Sequence, residues 1–296
     1  MVESKRPVDV FVDVLIHVVI VIACFLCLIP LHNTLALSFS SSVMASSGTV
    51  SFWPKQFTLA AYEAIVGEKQ FFGAFWISIK RVVLGGTINF LMMVLCAFPL
   101  AHSEKAFRGR NVYMYFLIFT MLFSGGLVPT YIIVGKMGLM NTLWALILPG
   151  AVPVWNCILL MNFFRSLPDE LEEAAIIDGA VPIQILVRIY LPVSLPSLAT
   201  VMLFCLVGHW NEFFSGLIYM NHSDNYPLAT YISTIVDSAK DLNLITDPEE
   251  IERIMKVSER NMSSAKIFVS MIPILIIYPF LQRYFVKGIV LGSVKG

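Results

Sequence analysis

Residues 165–196 read RSLPDELEEAAIIDGAVPIQILVRIYLPVSLP, and this stretch decides the fold. Ser166 is a candidate N-cap, and Pro168, Asp169 and Glu170 place a proline and two acids in a first turn, where carboxylates suit the helix dipole. Leu171, Ala174, Ala175 and Asp178 then share neighbouring turns of one face. Gly179 stands where a left-handed cap ends a helix. Pro182 opens a second short helix with Ile183, Leu186, Val187 and Tyr190 as its apolar side, and Pro192 stops it. The product is a helix–turn–helix bracket over 166–192 with small residues at its bend. It is too polar at its start to cross a bilayer, so it separates spans and lies beside the membrane.

The composition outside the bracket calls for lipid. Of 296 residues 57% are hydrophobic and 14% charged, against about 45–50% and about 25% in soluble domains. A spanning helix needs roughly 20 apolar residues. Segments 10–37, 82–101, 112–135, 142–164, 193–220 and 265–286 meet that length, the fifth with polar interruptions in its second half. The fold class expected is an all-α membrane protein, a six-helix bundle in one domain over 1–296. Net charge is zero, so no basic field points to a nucleic acid. Cys24, Cys27, Cys96, Cys157 and Cys205 lie inside apolar runs and read as packing residues. No histidine cluster completes a metal site around them.

Lys and Arg in short loops set the orientation. One side collects Lys5 and Arg6, the compact turn with Lys105, Arg108 and Arg110, then Arg165, Arg188, Arg283, Lys287 and Lys295. Both termini are then expected in the cytoplasm. Lys80 and Arg81 precede the second span at its expected water interface. On the opposite side, the Ser-rich stretch 38–51 reads as a flexible or strand-like connection. Residues 237–260 carry a helix signal with Asp247 as N-cap and Pro248 in the first turn.

The bracket also carries a resemblance. Glu173-Ala174-Ala175, then Gly179, then Ile189 and Leu191-Pro192 match the EAA signature of binding-protein-dependent ABC importer permeases. FSGGLVPTY (123–131), GLMNTLWALILPG (138–150), DELEEAAIIDGA (169–180), IYLPVSLPSLATVMLF (189–204) and GHWNEFF (208–214) are similar to the carbohydrate-uptake branch, and within it to second permeases of oligosaccharide and polysaccharide importers. The resemblance implies a coupling helix at the bend, with Glu173, Ala174, Ala175, Asp178 and Gly179 docking on a cytoplasmic ATPase. It implies a second permease in a heterodimer, two ATPase subunits (alike or different) that hold ATP and Mg, and an extracytoplasmic sugar-binding protein. It places the chain in a bacterial cytoplasmic membrane, and the glycine-containing tail 285–296 looks like family tails that reach toward the ATPase. No phosphate-binding loop GxxxxGK[ST] occurs, which leaves energy supply to partners.

Polar groups within spans tend to face a partner or a cavity. Trp210 with Asn211, and Trp155 with Asn156, pair an aromatic face with an amide, the chemistry that holds a sugar ring, and Asn89 adds a further amide. The same residues serve equally as interhelical hydrogen bonds. No catalytic motif is present, and the chain carries no expected catalytic residue. Two other functions compete: an intramembrane enzyme acting on lipid or glycan through His209 and Glu212, and a membrane scaffold whose bracket recruits a soluble partner.

Overall fold

The structure, a computed structural model, describes residues 7–240 and 260–292. The expected helix at Asp247 and the basic residues Lys5, Arg6 and Lys295 lie outside the described residues. Every regular element among them is helical. The chain divides into two compact units, one within 1–69 and 234–271, the other within 70–233 and 272–296.

In the first unit, α1 (Pro7–Ser38) is apolar around its whole circumference. None of its most apolar window is buried in this chain, the pattern of a helix whose solvent is lipid or another protein. The Ser-rich stretch that follows is neither strand-like nor loose. Ser41 caps the short helix α2 (Ser42–Ser46) through the Met44 N–H. Ser38 and Ser40 are wholly buried; Ser38 Oγ lies 2.7 Å from the Tyr62 hydroxyl, and Ser40 Oγ accepts from the Lys55 N–H at 3.0 Å. Serines bond nearby backbone readily, and here that capacity builds local structure. After α3 (Ala60–Gly67), Glu68 meets Lys266 at 2.8 Å. Lys266 belongs to the helix Arg260–Gly292 and is 1% exposed. Asn261 of the same helix donates to the Ser40 carbonyl.

In the second unit, α4 (Lys69–Ala101) begins at Lys69 rather than at 82. The extra turns carry Lys80 and Arg81 inside the helix, because the apolar residues Phe71, Ala74 and Phe75 continue its buried pattern upstream. The expected third span is broken. Gly126, at φ +90°, separates α5 (Arg110–Leu122) from α6 (Leu127–Lys136), and the axes bend by 111°. The fourth is bent by 46° between α7 (Leu143–Ile147), with its following turn, and α8 (Val154–Phe164). Next come α9 (Asp169–Ile177), α10 (Pro182–Ile185), a π turn over Leu186–Tyr190, α11 (Leu191–Val193) and α12 (Leu195–Asn211). Then α13 (Phe214–Tyr219) and α14 (Leu228–Lys240) follow, and α15 is Arg260–Gly292. Val10–Ser38, Lys69–Ala101 and Arg260–Pro279 are each long and apolar enough to cross a membrane, and up to six spans result if each of three bent pairs is one span.

The core of this unit joins Met93, Ala97 and Phe98 of α4 to Leu160, Met161 and Phe164 of α8 and to Leu198 and Val201 of α12. Ala175, Ile185, Leu186 and Tyr190 pack into the same cluster. The bracket therefore buries Ile185 with Leu186 and Tyr190, while Ile183 and Val187 are exposed. The π turn changes the repeat and carries a different set of side chains inward than a 3.6-residue period predicts.

Candidate functional site

Two regions of the second unit concentrate chemistry. The first is an open cavity of about 480 Å³ walled by Arg81 and Asn89, by Pro149, Gly150, Pro153 and Asn156, and by Cys205, Gly208, His209 and Glu212. Arg81, Gly85 and Asn89 recur every four residues on α4, so one face presents a cation, a gap and an amide. His209 fills the gap: a Cβ on Gly85 would lie 2.6 Å from its Nε2. Only glycine lets α12 approach this closely. His209 Nε2 reaches Asn89 Oδ1 at 2.7 Å, and Asn89 Nδ2 donates to the carbonyls of Gly150 and Ala151, both at 2.9 Å. Asn89 thus satisfies carbonyls left open where Pro149 and Pro153 interrupt the helix.

The break between α12 and α13 is held from α4. Arg81 donates through one terminal nitrogen to the Glu212 carbonyl at 2.9 Å and through the other to the Glu212 carboxylate at 2.6 Å. Glu212 also accepts from the Ser215 N–H at 2.8 Å and from the Ser215 hydroxyl. A single carboxylate thereby caps the start of α13, and the guanidinium compensates both it and the C-terminal carbonyl of α12. The Arg81 side chain is 4% exposed and that of Glu212 37%. Among the described residues Arg81 Nε has no hydrogen-bond partner.

The second region is the bracket. Gly179 has φ +78°. Its N–H donates to Ile176 O at 3.0 Å, and the Ala180 N–H donates to Ala175 O at 2.9 Å. This pair of bonds is the Schellman motif, with Ala180 packed against the core cluster that holds Ala175. Ser166 is not the cap expected for α9. Its hydroxyl is engaged with the Phe163 carbonyl, and Pro168 precedes the first turn in extended conformation. At α10 the Gln184 side chain accepts from the Val181 N–H. Ile176, Ile177, Val181 and Ile183 are exposed around the bend, with Glu173, Ala174 and Asp178 beside them.

The structure distributes the sugar-candidate residues unevenly. Asn89 and Asn156 reach the cavity wall, and Asn156 donates to Cys205 Sγ at 3.1 Å. Trp210 turns away: it meets Phe75 edge to face at 5.8 Å and borders an apolar recess with Val82, Leu206 and Ile274. Trp155 and Asn211 are exposed and do not border the cavity. His209 and Glu212 make no acid–base pair, since His209 is bonded to Asn89 and Glu212 to Arg81 and Ser215. Sequence reading missed Arg81, which it set at a water interface. The four-residue recurrence Arg81, Gly85, Asn89 was the signal for it.

Comparison with known proteins places this architecture. Residues 71–291 match the family described as "Binding-protein-dependent transport system inner membrane component". Protein LplC of Bacillus subtilis (strain 168) is 39% identical over 91% of this chain and 90% of its own. The polygalacturonan/rhamnogalacturonan transport system permease protein YtcP of the same organism is 36% identical, covering 96% of this chain and 98% of its own. A chain in the crystal structure of a bacterial ABC transporter involved in the import of the acidic polysaccharide alginate matches with a TM-score of 0.83 at 28% identity, over 95% of this chain and 99% of that one.

Proposed function

Because the chain belongs to the binding-protein-dependent transport system inner membrane component family, we propose that it forms one half of a pathway carrying an oligosaccharide or polysaccharide into the cell. The family's members are non-catalytic permease components of ABC importers, and ATP with its Mg belongs to partner ATPases. The substrate class draws support from YtcP, named for polygalacturonan and rhamnogalacturonan transport, and from the alginate importer. The saccharide arrives on an extracytoplasmic binding protein, and a second permease supplies the opposite wall.

In this reading α1, α4, the pairs α5/α6 and α7/α8, α12 with α13, and α15 are six passages through a bacterial cytoplasmic membrane. Both termini face the cytoplasm, the side of the compact basic turn at Lys105, Arg108 and Arg110. Segment 166–192 docks on an ATPase through Glu173, Ala174, Ala175, Asp178 and Gly179. The observation that carries the reading is the Gly179 bend, a capped turn whose apolar neighbours Ile176, Ile177, Val181 and Ile183 are exposed although the residues behind them are buried in the core. Such a patch, flanked by Glu173 and Asp178, suits a protein contact. The cavity wall of Arg81, Asn156, His209 and Glu212 supplies donors and acceptors to sugar hydroxyls, with Asn89 holding His209 in place.

The test is uptake by the assembled importer in proteoliposomes, with labelled polygalacturonan, rhamnogalacturonan and alginate oligosaccharides as probes. Uptake of at least one that requires both ATP inside and the binding protein outside is expected. Uptake without ATP, or purification of an active assembly that contains no ATPase, would overturn the proposal.

A further inference from the structure

The last turns of α4 and the first turns of α5 flank a recess of about 250 Å³, walled by Leu95, Pro99 and Leu100, by Phe107 of the connecting turn, and by Phe116 and Leu117. Tyr113 lines it too and stacks on Phe107, with ring centroids 5.6 Å apart. The lining is almost wholly apolar. Leu95, Tyr113 and Phe116 are exposed, and the recess shares no lining residue with the cavity of Arg81 and His209. It is a groove on the outside of this unit, separate from the proposed sugar wall.

Where Leu100 closes the recess, two guanidiniums converge on one acceptor. Arg110 Nε donates to the Leu100 carbonyl at 3.0 Å, and Arg165 Nη2 donates to the same oxygen at 3.4 Å. Arg165 Nε donates to the Ala101 carbonyl at 3.3 Å. These carbonyls end α4, and capping a helix C-terminus is an ordinary use of a basic side chain. The charges do not balance on that use alone: a helix end carries about half an elementary negative charge, against two full positive ones. Lys105 and Arg108 stand exposed in the same turn, and among the described residues none of the four cations meets a carboxylate at ion-pair distance. Glu104 accepts from Asn111, and Glu172 is taken up by His102 and Tyr190. Each guanidinium has five N–H donors, and only two are engaged on Arg110 and two on Arg165. Charge and donors are both left over for an anion.

We infer that the recess is a binding site for an anionic glycerophospholipid. Arg110 and Arg165 hold its phosphate, Lys105 and Arg108 attract its net negative charge, and an acyl chain lies against Leu95, Phe116 and Leu117. Guanidinium forks match phosphate oxygens, and basic pockets between membrane helices take anionic headgroups. The dimensions agree. From Arg110 to Leu117 α5 runs about 10 Å, two thirds of the roughly 15 Å hydrocarbon depth of one leaflet, so a headgroup at the arginines sets its chain beside the apolar wall. A zwitterionic lipid would bring its own ammonium into a turn already rich in cations. A free phosphate would leave the apolar wall unused. The leaflet is the one beside the basic turn, the cytoplasmic one in the orientation proposed above. Binding there requires a bilayer and this turn, and neither ATP nor a saccharide.

The test is photolabelling of the assembled importer in phosphatidylcholine vesicles that contain a trace of phosphatidylglycerol with a diazirine on its acyl chain, followed by mapping of the labelled peptides. Label should concentrate over 95–100 and 113–117, and unlabelled phosphatidylglycerol should compete roughly tenfold or more better than phosphatidylcholine. In Lys105→Gln/Arg108→Gln the preference should fall by about fivefold per cation removed, with every bond to the end of α4 left in place. In Arg110→Gln/Arg165→Gln, where each glutamine keeps an amide donor but no charge, the preference should be lost. Leu117→Trp fills the recess and leaves all four cations; it should reduce the label there, whereas lipid gathered only by a diffuse positive field would label as before. Should the paired arginine variant fail to assemble, the Lys105/Arg108 and Leu117 variants still decide. Equal competition by the two lipids, unchanged labelling of Leu117→Trp, or no label over 95–117 in the assembly, as when another subunit covers the recess, would each overturn the site. Displacement of the label by inorganic phosphate would reassign the arginines to a soluble anion and overturn the lipid. An importer that moves none of the saccharide probes would refute the transport proposal, while the labelling result would be read in the same way.

Discussion

Removing the Glu212 carboxylate should damage this protein more than removing its partner, and the reason is the asymmetry of burial. In Glu212→Leu the Arg81 guanidinium stays in place, its side chain 4% exposed, with its carboxylate partner gone and Nε already unpartnered among the described residues. Breaking a buried pair from one side costs about 3–5 kcal/mol, because the remaining charge is uncompensated. The same change removes the acceptor for the Ser215 N–H that starts α13, adding about 1 kcal/mol. In Arg81→Met the orphan is Glu212, 37% exposed and still bonded to Ser215, so about 1–3 kcal/mol is expected. The double variant removes both charges and should be milder than Glu212→Leu, since apolar replacement of a buried pair is often neutral. Thermal unfolding of the purified assembly, followed by loss of a monodisperse species, reads the order. Glu212→Leu should fall on the order of 10 °C below wild type, with the double variant recovering much of that loss. If Glu212→Leu matched the wild type, or if the double variant were worse than both singles, the pair would not be the joint that holds the α12–α13 break.

Other substitutions probe other parts. Gly179→Val places a branched side chain at φ +78° with open space around it in this chain, so the cost of about 1–2 kcal/mol is conformational; membrane insertion should persist while saccharide uptake is lost, and full uptake would contradict a docking role for the bend. Gly85→Ala would set a Cβ 2.6 Å from His209 Nε2 and 2.7 Å from its Cε1. It should break the bond to Asn89 and lower stability by about 1–3 kcal/mol, visible as a lower unfolding temperature. Trp210→Ala should cost about 3 kcal/mol through lost packing against Phe75 while the KM for saccharide in the surviving assembly stays unchanged. A raised KM at intact stability would instead return Trp210 to the sugar wall.

The helical class and the position of the bracket were readable because apolar run length and proline–glycine punctuation are local signals. Gly179 was assigned as a left-handed cap from its place after Asp178, and its φ agrees. Breaks within spans were harder to read. In FSGG the pair Gly125-Gly126 permits tight packing or a local bend, but the stretch is apolar enough to pass as one span, and hydropathy carries no information about the 111° angle. The pairing of Arg81 was hidden for a related reason: a charge near the end of an apolar run is read as the end of the helix, whereas here the helix continues to Lys69 and its partner lies 131 residues away. The 2.8 Å contact between His102 Nε2 and the Glu172 carboxylate, 70 residues apart in sequence, leaves no pattern in the chain at all. The inward set of α10 was displaced by a π turn, which no periodicity anticipates.

The nakedness of α1 bears on how such a chain diverges. Val14, Val18, Val21, Phe25 and Leu28 each leave about half or more of their surface exposed, so none of the described residues demands a given shape at those positions, only oiliness. Lineages should swap valine, isoleucine, leucine and phenylalanine freely there, while tolerating no stray lysine or aspartate. The opposite holds at Gly85 and Gly216, where a single added methyl would strike His209 or Thr230. A survey of many such chains should show α1 drifting fastest and those two glycines scarcely moving.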